Sequence, residues 1–150
     1  MHQRYAFHVP RYALCVMPNK TILAIVGLAG AGKGEATKYI VKKTGAKNVY
    51  FGEPTFERIK KEGLELNYAN EKVIREKIRA ELGMGAYAIL SLPKVKSLLE
   101  TDDFVTVESL YSWEEYKIMK QEFGDAFKVL AVFASPDVRF KRLSERKQDI

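Results

Sequence analysis

The chain has 150 residues, one cysteine and a formal net charge of +6. That length suits one domain of ordinary size. Cys15 alone excludes an intramolecular disulfide and fits a reducing cytoplasm, and the short apolar runs exclude a membrane span, which needs ~20 residues. Residues 1–20 hold Arg4, Arg11 and Lys20 and no acid, so the rest of the chain is near balance and lacks the basic stripe of a nucleic-acid surface.

Residues 1–16 are rich in Tyr, His and Arg, are broken by Pro10 and lack the apolar core of a signal peptide. They are expected to be a poorly ordered extension ahead of a domain covering 17–150; being acid-poor they also suit a weak organelle presequence, and the true start is either Met1 or Met17.

The first element is a strand, Thr21-Ile-Leu-Ala-Ile-Val26, followed by Gly27-Leu-Ala-Gly-Ala-Gly-Lys33-Gly34. Ala36, Tyr39 and Ile40 lie on one helical face, and Gly45 stops that helix. Lys47 to Phe51 reads as a second strand ending at Gly52. Phe56 and Ile59 begin a short helix closed by Gly63. Val73, Ile74 and Ile78 mark a helix over roughly 70–82, interrupted by Gly83-Met-Gly85. The segment 68–85 is expected to move over a bound acceptor. Helical periodicity resumes from Ala86 to Leu99 around Pro93, and Phe104 to Val107 forms a third strand. Ser112-Trp-Glu-Glu115 has capping-box spacing and opens a helix, with Trp113 and the Tyr116 face expected in the core. Lys128 to Ala134 is a fourth, near-continuous apolar strand, and Ser135-Pro136 opens a last helix.

Strands alternating with helices predict an α/β fold, a three-layer α/β/α sandwich around a parallel sheet of about four strands. Ligands in such sheets bind beyond the carboxyl ends of the strands. That edge gathers the glycine loop, the Gly52 turn, Glu108 and the Ser135 turn.

Gly27, Gly32 and Lys33 satisfy the phosphate-loop spacing G-x-x-x-x-G-K. Glycines let the backbone turn tightly and bring its N–H groups to phosphate oxygens, aided by the positive end of the following helix. Lys33 would neutralise charge that builds during phosphoryl transfer. The rival, a dinucleotide loop G-x-G-x-x-G, fails on spacing, although Glu53 sits near the offset of its acidic residue. Gly34 stands where a magnesium-binding hydroxyl is usual, so no direct metal ligand is assigned. Glu35 is unusual beside a phosphate site; it either points away along the helix N-terminus, where a negative charge is favourable, or has a metal-related role.

Glu108 ends the third strand, where a carboxylate holds a magnesium-bound water, orients an acceptor hydroxyl, or simply caps the next turn. Arg58 either grips an acceptor phosphate or pairs with Glu57 and Glu62 on the surface. Arg139, Arg142 and Arg146 share a helical face, and their mutual repulsion needs an anion, or Asp137 and Glu145, to offset it.

Together these residues resemble the nucleoside-monophosphate-kinase group of P-loop proteins. Gly27 to Gly34 is similar to adenylate-kinase loops. Gly52-Glu-Pro-Thr-Phe-Glu-Arg58 is similar to the start of their acceptor-binding helix. Ala134-Ser-Pro-Asp-Val-Arg-Phe-Lys-Arg-Leu-Ser-Glu-Arg146 is similar to the strand-to-lid segment of adenylate and dephospho-coenzyme A kinases. The likeness is greatest to an uncharacterised prokaryotic family of kinase-like ATPases. It implies ATP held by Gly27, Gly30, Ala31, Gly32, Lys33, Gly34 and Glu35, with magnesium, and Arg142 against the adenine. Gly52 and Arg58 would bind a small phosphate acceptor, and Lys33, Glu108 and Arg146 would carry catalysis. Arg58 comes two residues late, no arginine follows Glu108 closely, and the family's fifth strand has no counterpart. The expectation is a cytoplasmic ATP-dependent phosphotransferase. The alternatives are an ATP-binding regulator without transfer activity and a partner-coupled ATPase.

Overall fold

A computed structural model of the chain describes residues 19–146. The expected extension over 1–16 lies outside the described residues. Four strands form one parallel sheet: β1 (Thr21–Val26), β2 (Lys47–Tyr50), β3 (Phe104–Glu108) and β4 (Phe127–Ala131), in the order β2-β3-β1-β4. Six α-helices connect and follow them: α1 (Lys33–Thr44), α2 (Glu53–Lys61), α3 (Tyr68–Leu82), α4 (Ala86–Thr101), α5 (Trp113–Phe123) and α6 (Pro136–Glu145).

The order explains where a site can form. From β1 the chain crosses past β3 to reach β2; from β3 it crosses past β1 to reach β4. The two central strands therefore send their connections in opposite directions. Right-handed crossovers then put α1 and α5 on opposite faces, and a crevice opens between the loops after β1 and β3. The register pairs Ile25 with Glu108, so the glycine loop and Glu108 leave the sheet side by side.

The core follows from apolar strands buried in the middle of the sheet. Ile22, Ala24, Val49, Val105 and Val107 are wholly buried beneath Phe51, Ile74, Val95 and Met119. Burial of a large apolar side chain contributes roughly 1.5–3 kcal/mol. α3 is anchored in this core by Ile74 and Ile78, so the segment expected to move is a packed helix along its inner face.

The helical periodicity expected from Ala86 to Leu99 around Pro93 is a single helix, with α4 running unbroken from Ala86 to Thr101. Ala86, Tyr87, Ala88, Ser91, Val95 and Leu99 are all buried along it, and that packing outweighs the missing N–H of the proline. Trp113 is exposed rather than core; it occupies the first position of α5 and stacks on Tyr116 with centroids 4.8 Å apart. β4 is an edge strand whose Lys128 to Ala131 are exposed, and it ends at Ala131 instead of Ala134.

Candidate functional site: a phosphate loop and an adjoining pocket

Three glycines of the loop adopt conformations closed to ordinary side chains: Gly27, Gly30 and Gly32 have φ of 151°, 78° and 105°. Space is equally restrictive. A Cβ on Gly27 would meet the Val132 carbonyl oxygen at 2.4 Å, and one on Gly30 the Arg139 carbonyl oxygen at 2.7 Å. The loop thus follows the sheet edge closely on one side and α6 on the other. Val132 N–H donates to the Val26 carbonyl at 2.8 Å, extending the β1–β4 ladder to the loop's root.

Arg142 fastens the loop from outside. Its Nη1 donates to the carbonyls of Gly30 and Ala31, both at 3.2 Å. Two carbonyl lone pairs that would repel a phosphate are thereby engaged by a guanidinium. The arginine expected against the adenine is, in this arrangement, part of the loop's own support. Arg139 donates from Nε to the Ala134 carbonyl at 3.2 Å. Backbone carbonyls, rather than Asp137 or Glu145, therefore separate these two charges; Glu145 instead stands 4.0 Å from Lys141. Arg146 closes α6, where its N–H reaches the Arg142 carbonyl at 3.2 Å, and its side chain is exposed.

Lys33 arches over the loop. Its Nζ donates to the Leu28 carbonyl at 3.2 Å and lies 5.9 Å from the centre of the Tyr111 ring. Glu35 turns outward and pairs with Lys38 at 2.9 Å, both on the surface of α1. Its charge sits in the first helical turn, where it is favourable.

Glu108 faces the loop from β3. Oε1 lies 3.9 Å from where a Cβ on Gly34 would be, and Asn48 Nδ2 is 3.5 Å from Oε2. Asn48 is held by Thr106, whose Oγ1 donates to Asn48 Oδ1 at 2.9 Å. A carboxylate is thus placed at the point where the usual hydroxyl of this motif would project. That donor set, one carboxylate oxygen beside a glycine-lined loop, fits a magnesium ion, which favours oxygen ligands and retains several waters.

The loop after β3 then builds a second feature. Ser109 has φ of 69°, uncommon for a non-glycine residue. Two residues later Tyr111 turns toward Lys33, and its N–H donates to Glu115 Oε2 at 2.8 Å. Ser112 and Glu115 complete the expected capping box, and Ser112 Oγ also donates to the Met84 carbonyl at 2.7 Å. Glu115 is almost wholly buried, and desolvation pushes its carboxyl above the usual range despite two backbone N–H donors.

Beside this loop is a cavity of about 330 Å³ lined by Tyr50, Gly52, Phe56, Arg75, Arg79, Tyr87 and Tyr111, among others. Gly52 belongs here as expected from its place at the end of β2: a Cβ on it would strike the Tyr50 ring at 2.4 Å. Arg58 does not line it. Its Nε donates to Glu62 at 2.7 Å and its Nη2 to Glu81 at 3.1 Å, which raises its pKa further and lowers that of Glu62. Of the two readings of Arg58, this geometry is the surface pairing, with Glu81 of α3 in place of Glu57. Arg75 and Arg79 were not singled out from the sequence. Their spacing of four residues on α3 was the available signal, but only the packing of α2 and α4 against α3 turns that face into a cavity wall.

A parallel α/β sheet with this loop at its switch point defines a P-loop kinase-like protein. Residues 26–149 match the profile of the AAA domain family, and the chain belongs to it. It also belongs with the UPF0200 proteins. It is 34% identical over 126 residues to the UPF0200 protein of Pyrococcus horikoshii, covering 83% of this chain and 67% of that protein. It is 38% identical over 128 residues to the one of Pyrococcus furiosus, covering 85% and 68%. The chain thus spans about two thirds of the length of these relatives. Among solved structures, shikimate kinase from Bacteroides thetaiotaomicron superposes with a TM-score of 0.51 at 18% identity, over 85% of this chain and 65% of that one. That likeness is one of fold. Among the described residues, no helix is long and apolar enough to cross a membrane.

Proposed function

We propose that the protein is an ATP-dependent phosphotransferase of nucleotide-kinase type, moving the γ-phosphate of ATP with Mg²⁺ to a small acceptor. The reading is carried by the placement of Glu108 across from Gly34, beside Lys33, at the crevice between β1 and β3. The loop's glycines leave room for backbone N–H groups to cradle the phosphates. Glu108 would hold the cation, directly or through water, and the cation supplies charge neutralisation at the phosphate oxygens. Lys33 would leave the Leu28 carbonyl to meet the β- and γ-phosphates, and Arg146 would reach the transferred group as the end of α6 closes. Catalysis in such a site is positioning and electrostatic stabilisation. Cys15 as the lone cysteine accords with a cytoplasmic setting.

Incubation with ATP-Mg and a panel of nucleotides and dephospho-coenzyme A tests the proposal. Transfer to an acceptor, abolished by Lys33→Ala, is the expected result. Absence of ATP binding would overturn it. A second reading, an ATP-binding regulator without transfer, is favoured by one observation, the glycine at position 34 where the motif carries a hydroxyl. ATP binding without turnover on any acceptor would select it.

A further inference from the structure

A lysine ammonium on its flexible four-carbon stem keeps one position only if stem and head are both held. At Lys33 the stem passes close to Gly27, with Cγ 3.5 Å from where a Cβ at residue 27 would stand. The head donates to the Leu28 carbonyl at 3.2 Å, a bond exposed to water. Its second neighbour is the Tyr111 ring, whose centre lies 5.9 Å from Nζ. That is inside the ~6 Å over which the negative face of a ring attracts a cation. Tyr111 gains little from packing, since it is 66% exposed. Its backbone, by contrast, is fixed from both directions. Leu110 before it is buried in the core, and Ser109 makes the turn with φ of 69°. The N–H groups of Tyr111 and Ser112 both donate to Oε2 of the buried Glu115, at 2.8 and 3.1 Å. The Tyr111 hydroxyl accepts only a long bond from Ser109 Oγ, at 3.4 Å. An exposed ring on so firmly held a backbone is therefore aimed, and Lys33 is the charge within its reach.

We infer that Tyr111 is a positioning residue for Lys33: its ring, on a loop pinned by Glu115, bounds the ammonium together with the Leu28 carbonyl and keeps it poised over the glycine loop. The inference rests on the ATP-binding reading of that loop and adds to it a side chain from outside the motif, 78 residues further along the chain. An ammonium that is already confined loses less rotamer freedom when it meets phosphate oxygens, so confinement favours binding. The ring face supplies the attraction, which phenylalanine retains and leucine lacks. At an exposed site such a contact is worth about two- to fivefold in an equilibrium. A ring that instead competed with phosphate for the ammonium would act in the opposite direction, and its loss would tighten ATP binding.

Brief acetylation of the full chain, read by peptide mass mapping, reports how freely Lys33 meets solvent, with the exposed Lys60 as internal reference. Tyr111→Leu is expected to raise the Lys33-to-Lys60 labelling ratio about two- to fivefold. It is also expected to weaken calorimetric binding of ATP and of tripolyphosphate by a similar factor. Tyr111→Phe, which keeps the ring face, is expected to return both readings to those of the natural protein. Three results would overturn the inference: an unchanged labelling ratio in Tyr111→Leu, a Tyr111→Phe protein that behaves like Tyr111→Leu, or faster labelling accompanied by unchanged or tighter ATP binding. A merely structural tyrosine would lower the unfolding midpoint and leave the ratio as it is. Labelling needs no nucleotide, so it separates this proposal from the phosphotransferase. In a chain that binds no ATP, a ring-dependent labelling ratio would uphold the contact between Tyr111 and Lys33 and sink the phosphotransferase, and a ring-independent one would sink both.

Discussion

The Glu108 carboxylate stands across from Gly34, with Oε1 3.9 Å from the position a Cβ at residue 34 would take. That separation is ordinary van der Waals distance, and Gly34 is not among the positive-φ glycines. A side chain is therefore tolerated there, and the site has room for a hydroxyl and a carboxylate together. Glu108→Gln is expected to weaken the magnesium dependence of ATP binding at least tenfold while leaving metal-free ATP binding unchanged. Gly34→Ser is expected to fold normally and to strengthen the magnesium dependence. Calorimetry with and without Mg²⁺ measures both. An unchanged metal dependence in Glu108→Gln would remove Glu108 from the cation site.

The loop's glycines differ in why they are glycines. Gly30 combines φ of 78° with a carbonyl oxygen 2.7 Å from any Cβ, whereas Gly63, with φ of 67°, has nothing within 4 Å of its Cβ position. Alanine at Gly63 meets conformational strain alone, about 1 kcal/mol. Alanine at Gly30 must also displace the Arg139 backbone, and the expected loss is about 2–4 kcal/mol, the strain plus an overpacking term. Urea unfolding should order the variants in that way, with ATP binding lost only in Gly30→Ala. Equal losses would show that α6 gives way freely.

Arg142 spans the chain to bond Gly30 and Ala31. A single terminal nitrogen, Nη1, whose two N–H donors are held in the guanidinium plane, reaches both carbonyls at once, an orientation that the freely rotating ammonium of lysine does not fix. Arg142→Lys is accordingly expected to weaken ATP binding several-fold with little change in unfolding midpoint, since the guanidinium is largely exposed. A variant that binds ATP as the parent does would leave the loop supported by Arg139 and the β1–β4 ladder alone.

Much of the fold was legible in the sequence because its signals are local. Apolar runs at Thr21–Val26 and Phe104–Glu108 bury both faces in a parallel sheet, and the glycine spacing implies the loop whatever surrounds it. Ser112 and Glu115 announce their capping box within four residues. What stayed hidden depends on contacts distant in sequence. Strand order, and with it the exposure of β4, is decided by which faces the helices cover. Arg58 and Arg79 differ little by local pattern; Glu81 captures one and the cavity holds the other because α2 packs on α3. Nothing near Arg142 in sequence points to a carbonyl of the loop.

Ser112 ties three segments together, accepting from Glu115 N–H at 3.0 Å, donating to the Met84 carbonyl at 2.7 Å and starting α5. Removing an N-cap hydroxyl costs roughly 1 kcal/mol, and leaving the Met84 carbonyl without this donor adds to it. Ser112→Ala is expected to lower stability by about 1–2 kcal/mol in denaturant unfolding. An unchanged unfolding free energy would show that neither the start of α5 nor the Met84 carbonyl depends on this hydroxyl.

Glu115 turns the same cap into a pH-dependent element. Burial raises its carboxyl pKa above the usual 4.5, with the donors at Tyr111 and Ser112 opposing that shift only in part. A carboxyl whose folded pKa exceeds its unfolded one binds protons more readily in the folded state. Its ionisation therefore costs stability above the folded pKa, and that cost is relieved as the pH falls through it toward the unfolded value. Glu115→Gln keeps an oxygen acceptor but does not titrate. The stability of the natural protein minus that of Glu115→Gln is expected to be greater at pH 5 than at pH 7, measured by urea unfolding in matched ionic strength. Subtraction removes surface carboxylates such as Glu62, whose pKa is lowered by Arg58 and Lys77 and which act in the opposite direction. A difference that shrinks on acidification would mean that the two backbone donors, and not desolvation, govern Glu115.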